Sequence, residues 1–181
     1  MAQAKTNPIR KYRALGQPKR SERMITYSFA VEGEPCPWTS WPKRGPMPPA
    51  FARMQVWQEH IRAAFWNKYR DKPRLSGLIT LDIEFYRGLP ASAPKRLEAL
   101  ERWMIRHIKT KPDLTNYLKA AEDALQGVVF VDDSQVVKGS ELKGYSRPGQ
   151  PHYPGGYTVF TVTEMEAGDE IVRVLQGGPT Q

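Results

Sequence analysis

The sequence predicts a single α/β (α+β) domain, a small mixed β-sheet packed by helices. Two periodicities carry that expectation: short runs in which apolar and polar residues alternate, and longer runs in which apolar residues recur every three or four positions. A third observation is the order, in which strands and helices intermingle along 181 residues, a length that suits one domain with a real core.

ITYSFAV, from Ile25 to Val31, alternates as a first strand and is closed by Gly33, Pro35 and Pro37. A proline-rich loop, WTSWPKRGPMPP, follows. Phe51, Met54, Trp57, Ile61, Ala64 and Phe65 then mark one face of a long helix, AFARMQVWQEHIRAAFWNKY. Ile79, Leu81, Ile83 and Phe85 alternate with Thr80, Asp82 and Glu84, which predicts a strand with one wet face. Leu97, Leu100, Met104 and Ile108 predict a shorter helix inside a basic insertion. Leu114, Leu118, Ala121 and Leu125 predict a third, ended by Gly127 where the chain must turn left-handed. VVFV reads as a buried strand stopped by Asp132 and Asp133. QVVKGSEL and YTVFTVTEM read as two more strands, joined by a Pro/Gly loop through His152.

Composition removes several function classes. No apolar run approaches the roughly 20 residues of a membrane span, so no membrane partner is expected. Cys36 is the only cysteine, which rules out an internal disulfide and Cys-based zinc sites and fits a reducing compartment. His60, His107 and His152 lack metal-ligand spacing. Of the net charge of +8, seven basic side chains against Glu22 alone put +6 before Met24. Residues 1–23 therefore read as a basic, disordered arm, either a contact for a polyanion or a solubilising extension. Residues 24–165 form the expected domain and 166–181 a tail.

The stretch KPDLTNYLKAAEDALQGVVFVDDSQVV, Lys111 to Val137, holds carboxylates at both ends of one helix. A returning strand after the helix would bring Asp113 near Asp132 and Asp133. Such a pocket suits a hard divalent cation, since Mg²⁺ takes oxygen ligands at about 2.0–2.1 Å. Lys119 would then offer an ammonium to the charge that builds on a phosphate under attack. A plainer reading fits the same residues: Asp113 as a helix N-cap, and Asp132 with Asp133 as a turn between strands. Both stay open on the residues alone.

PDLTN, LKAAEDALQG and VDDSQVV together resemble the signature of the RusA family of Holliday-junction resolvases, approximately Pro-Asp-x-Asp-Asn, Lys, Asp-x-Leu and Asp-Asp-x-Gln. The likeness covers most of Met24 to Met165 and implies a RusA-like fold. It implies a Mg²⁺-dependent endonuclease, with Mn²⁺ as a substitute, acting as a homodimer whose two sites nick opposed strands of a four-way DNA junction in recombination and repair. Carried over by position, the catalytic residues would be Asp113, Lys119 and Asp133, with Asp132 beside the metal. Asn116, Asp123 and Gln135 match supporting positions. Thr115 stands where the pattern has a second aspartate; its hydroxyl can ligate Mg²⁺ without bringing charge. Glu122, on the same helix face, is the other candidate for the missing ligand. The likeness also implies a cytoplasmic protein of a bacterial cell or phage-infected host.

A junction is a dense polyanion, so Lys43, Arg44, Lys95, Arg96, Lys109, Lys111, Lys138, Lys143 and Arg147 are expected phosphate contacts; each alone reads equally as a surface charge. Trp38 and Trp41 read as core packing or as stacking surfaces for exposed bases. Two rival functions stay beside the junction nuclease. One is a branched-DNA-binding protein of the same fold with weak or no cleavage, and the other a nuclease for flaps or forks.

Overall fold

A computed structural model describes residues 25–41 and 44–165. The basic arm, the C-terminal tail and Lys43 lie outside them. The elements run β1 (Thr26–Glu32), α1 (Pro49–Tyr69), β2 (Ile79–Arg87), α2 (Leu97–His107), α3 (Leu114–Leu125), β3 (Val136–Tyr145) and β4 (Tyr157–Glu164). The strands form one mixed sheet in the order β1-β4-β2-β3. β4 pairs antiparallel with both β1 and β2, while β3 pairs parallel with β2.

One sheet face carries the core. Tyr27, Phe29 and Val31 of β1, Ile79, Leu81, Ile83 and Phe85 of β2, and Phe160 and Val162 of β4 are all buried. Against them lie Met54, Trp57, Ile61 and Phe65, the stripe of α1 predicted from spacing, and Tyr117, Ala120, Ala121, Ala124 and Leu125 of α3. Burying each large side chain contributes about 1.5–3 kcal/mol before the entropy of ordering it is subtracted. Three alanines on the buried face of α3 let the helix lie close to its neighbours. Gln58 of α1 is buried too, and its Nε2 donates to the Ala120 carbonyl at 2.9 Å, a polar tie between the two helices.

The second helix docks apart from this core. Leu100 and Met104 pack with Tyr145 at the end of β3, in a small cluster joined by Trp103 and Ile108. Trp103 stacks on His107 one turn later, at 4.3 Å between centroids, so this histidine has a packing role.

VVFV is not a strand. Gly127 adopts a left-handed φ of 75° and its N–H donates to the Phe130 carbonyl at 2.7 Å, closing a tight turn. Val129 and Phe130 enter the core, and Phe130 makes only single-residue bridges to Leu75 and Gln126. Four apolar residues between a helix end and a turn are buried without the length to pair along a neighbour, and hydrophobicity alone does not separate these outcomes. Asp132 then opens a one-turn 3₁₀ segment, Asp133–Gln135, that leads into β3. The sheet thus has four strands where the sequence suggested five.

β3 departs from the other strands because its helix-side positions are not apolar. In the parallel register Gly139, Glu141 and Lys143 lie beside Leu81, Ile83 and Phe85. Glycine is needed at the first of these, since a Cβ on Gly139 would run into the Leu81 carbonyl oxygen. Gly139→Ala is expected to destabilise the domain by about 1–3 kcal/mol, as overpacking against backbone does. A lower urea midpoint with an unchanged m-value would be the readout.

Candidate functional site

The quoted stretch builds two separate clusters at the two ends of α3. Twelve helical residues span about 18 Å, so Asp113 before the first turn and Asp133 beyond the last stand far apart within one chain. The expected convergence of Asp113, Asp132 and Asp133 in a single pocket is therefore corrected. It depended on VVFV returning along the helix, and the tight turn at Gly127 leaves Asp132 and Asp133 at the helix C-terminus. Among the described residues no three His, Cys, Asp or Glu side chains are grouped to hold a metal ion. The carboxylates of one chain do not fit a shared Mg²⁺.

At the N-terminal end, Asp113 holds the N-cap position but its side chain makes no capping hydrogen bond. The plain N-cap reading is thus not realised, and the exposed carboxylate faces a cleft of about 380 Å³. Trp38, Asn116, Lys111 and Arg53 share that cleft. Trp38 is tied to α3 through its backbone N–H, which donates to the Asn116 carbonyl at 2.7 Å. Lys119 lies with its Nζ 3.8 Å from the centroid of the Trp38 ring. Lys143 was expected to touch phosphate. Its ammonium instead donates to the carbonyls of Thr110 and Pro112, at 3.0 and 2.9 Å, and braces the entry to α3. Burial, then the charge of Arg87, pulls the Lys143 amine below its usual value, and nearby Asp113 opposes both.

The C-terminal end is acidic. Asp132 realises the turn reading: its side chain accepts from the Ser134 N–H at 3.0 Å and from Gln126 Nε2 at 3.3 Å. Those bonds, Ser134 first, hold its carboxyl below the usual range. Asp133 is exposed in the 3₁₀ turn. Gln135 fixes the turn with every part of its amide. Its Oε1 accepts from the N–H groups of Val131 and Asp132 at 2.8 and 2.9 Å, and its Nε2 donates to the carbonyls of Gly77 and Leu75 at 2.7 and 3.3 Å. Glu122 is half-buried beside a cavity of about 230 Å³ that Glu141 and Lys138 also line. Its pKa is pushed up by burial first, then by the charges of Asp133, Asp123 and Glu141.

Thr115 and Lys119 are exposed on the open face of α3, and Glu122 continues that face at helical spacing. Asp123 is exposed, and its backbone carbonyl accepts from Arg62 at 3.4 Å. Arg44, Lys95, Arg96, Lys109, Lys111, Lys138 and Arg147 are exposed as well. Sequence reasoning missed Arg53 and Glu141, which no motif marks. They reach the two ends of α3 from α1 and β3, elements distant in the chain.

A mixed four-stranded sheet with helices packed on it, and charged groups gathered at the two ends of one helix, define a single α+β domain with a polar surface along α3. The model of the endodeoxyribonuclease RusA family matches residues 40–150, and the chain belongs to that family. It is also 33% identical over 98 residues to YqaN, an uncharacterized protein of Bacillus subtilis (strain 168), covering 52% of this chain and 68% of that protein. Among the described residues no helix is long and apolar enough to cross a membrane.

Two outcomes follow from the acidic end. Gln135→Ala strands two N–H donors and two carbonyls, and is expected to cost about 2 kcal/mol in denaturant unfolding. For Glu122 the folded-state pKa lies above the usual 4.5, so the folded chain binds the proton more tightly and loses stability as pH rises through that window. In metal-free buffer Glu122→Gln is expected to stabilise the protein at neutral pH, with the gain fading below about pH 4.5. A pH series of unfolding curves on both proteins checks it.

Proposed function

We propose that the protein is a Mg²⁺-dependent, structure-selective endodeoxyribonuclease that resolves four-way DNA junctions by paired nicks, working as a homodimer in recombination and repair. The observation that carries this reading is the side-chain set on α3: Asp113 at its start, Lys119 on its open face, and Asp133 just past its end, in a chain of the RusA family.

The separation of Asp113 from Asp133 supports the dimer. Two copies related by a two-fold axis, with their α3 helices antiparallel, would set Asp113 of one protomer against Asp133 of its partner. Charge favours the same arrangement. Lys111, Arg53 and Lys143 surround the start of α3, while Glu122, Asp133 and Glu141 surround its end. Complementary ends steer such an encounter and fix its register. Asp113, Asp133 and the neighbouring Asp132 would hold the metal, with Thr115 or Glu122 beside them. Held by those residues, Mg²⁺ would supply Lewis-acid polarisation of the phosphate and a more acidic water.

The chain's own residues do the rest. Lys119 places an ammonium where negative charge develops on the phosphate. Lys95 and Arg96, exposed just before α2, and Lys109 and Lys111, exposed between α2 and α3, contact backbone phosphates without reading sequence. Gln135 holds the Asp132–Asp133 turn, and Lys143 holds the chain entering α3. The protein would act in the cytoplasm of a bacterial or phage-infected cell, with the arm before Met24 adding phosphate contacts.

Thr115 favours a second reading, a branched-DNA-binding protein with weak cleavage, because a hydroxyl brings no charge to a metal. Labelled junction, fork, duplex and single-strand substrates, each with and without Mg²⁺, separate the readings. Junction binding without nicking would support the second, and fork cleavage in preference to junction cleavage would overturn both.

Asp113→Asn and Asp133→Asn are each expected to abolish cutting, by at least about a hundredfold, while junction binding persists. Mixing the two variants decides the arrangement. A heterodimer whose sites are shared between protomers keeps one intact site and regains single nicks. If each site lies within one chain, the mixture stays inactive.

A further inference from the structure

We infer that the indole of Trp38 is a positioning residue for Lys119, fixing its ammonium at the mouth of the cleft that holds Asp113. The inference rests on the reading that Lys119 acts on the scissile phosphate.

Trp38 and Lys119 come from distant parts of the chain, the loop after β1 and the middle of α3. The fold sets the Lys119 Nζ 3.8 Å from the Trp38 ring centroid, well inside the roughly 6 Å over which a cation is attracted to an indole face. Lys119 itself is exposed, and a lysine there has a flexible four-carbon stem with many rotamers. Trp38 is not free to follow it. The ring is half-buried against the main core, and the backbone N–H of the same residue is held by the Asn116 carbonyl at 2.7 Å. A mobile cation is thus paired with a fixed aromatic face. Trp38 also lines the cleft shared by Asp113 and Asn116, so its contact with Lys119 places the ammonium beside that cleft. The ring attracts the charge without accepting a conventional hydrogen bond, which leaves ammonium N–H donors for phosphate oxygens. A carboxylate partner would occupy them. The strap from Trp38 to Asn116 uses backbone atoms alone, so replacing the side chain removes the ring and keeps the tie.

The test uses the full chain labelled with ¹³C at lysine Cε. In the wild type the Lys119 Cε–Hε signal, assigned by its loss in Lys119→Arg, is expected upfield of the other lysines through the ring current of Trp38. Trp38→Leu should return it to the position of exposed lysines, and Trp38→Phe should keep part of the displacement. Single-turnover cleavage of prebound junction in Mg²⁺ should fall about two- to fivefold in Trp38→Leu and recover most of that in Trp38→Phe, as loss of an exposed cation–π contact predicts. Junction affinity should stay within about twofold, and Trp38→Leu should add nothing to Lys119→Ala. An unshifted Lys119 signal, or full cleavage by Trp38→Leu while Lys119→Ala is inactive, overturns the inference. So does weaker junction binding with an unchanged rate on bound substrate, which would make Trp38 a stacking surface for bases. Wild-type cleavage by Lys119→Ala would instead remove the role of Lys119 on which the inference rests, whatever the ring-current shift shows.

Discussion

The close seating of α3 on the core is the constraint from which the rest of the molecule follows. Ala120, Ala121 and Ala124 are fully buried, so over the middle of this face only methyl groups stand between the helix and its neighbours. Tyr117 and Leu125 anchor the two ends of the same face, with Tyr117 stacked on Phe85 of the central strand at 5.4 Å. Once that face is fixed, the helical period leaves Thr115, Lys119 and Glu122 on the opposite one. The buried side therefore sets the direction of every candidate group on the helix without touching any of them.

The flanking segments are held as firmly as the helix. Gln135 uses both ends of its amide to tie the Asp132–Asp133 turn to the segment before β2, and Lys143 ties the chain before Pro112 to β3. Each is a polar side chain with its hydrogen bonds made, which is how a turn or loop is ordered without apolar burial. β3 carries Glu141 and Lys143 on its helix side, where the other strands carry apolar residues. One strand thus supplies an anion to the acidic end of α3 and a brace to the basic end.

Electrostatics gives the two ends of α3 opposite characters. The start gathers Lys111, Arg53 and Lys143 near a helix terminus that is itself positive. At the other end, carboxylates crowd Glu122 enough to raise its pKa. The length of the helix keeps these ends apart within one chain, and the proposed two-fold dimer, with its α3 helices antiparallel, would join them. Charge pattern and geometry therefore support the same assembly for independent reasons.

Much of the fold was written in local pattern. The alternation in β1, β2 and β4, the spacing of Met54, Trp57, Ile61 and Phe65 in α1, and the glycine after α3 each report a nearest-neighbour preference that packing then satisfied. The family was legible for a similar reason, because its residues lie within one short ordered stretch. VVFV misled because burial and strand pairing draw on the same residue types, and only the tight turn closed between Gly127 and Phe130 separated them. The presumed meeting of Asp113 with Asp133 failed along with that strand. The partners of Lys119, Lys143 and Glu122 were not legible at all: Trp38, the carbonyls of Thr110 and Pro112, and Glu141 are brought to them from other elements. Sequence by itself determined which residues carry charge and which face of each element is apolar, since both depend on residue type and local period. Tertiary structure alone decided which charges meet, because that depends on where distant elements pack.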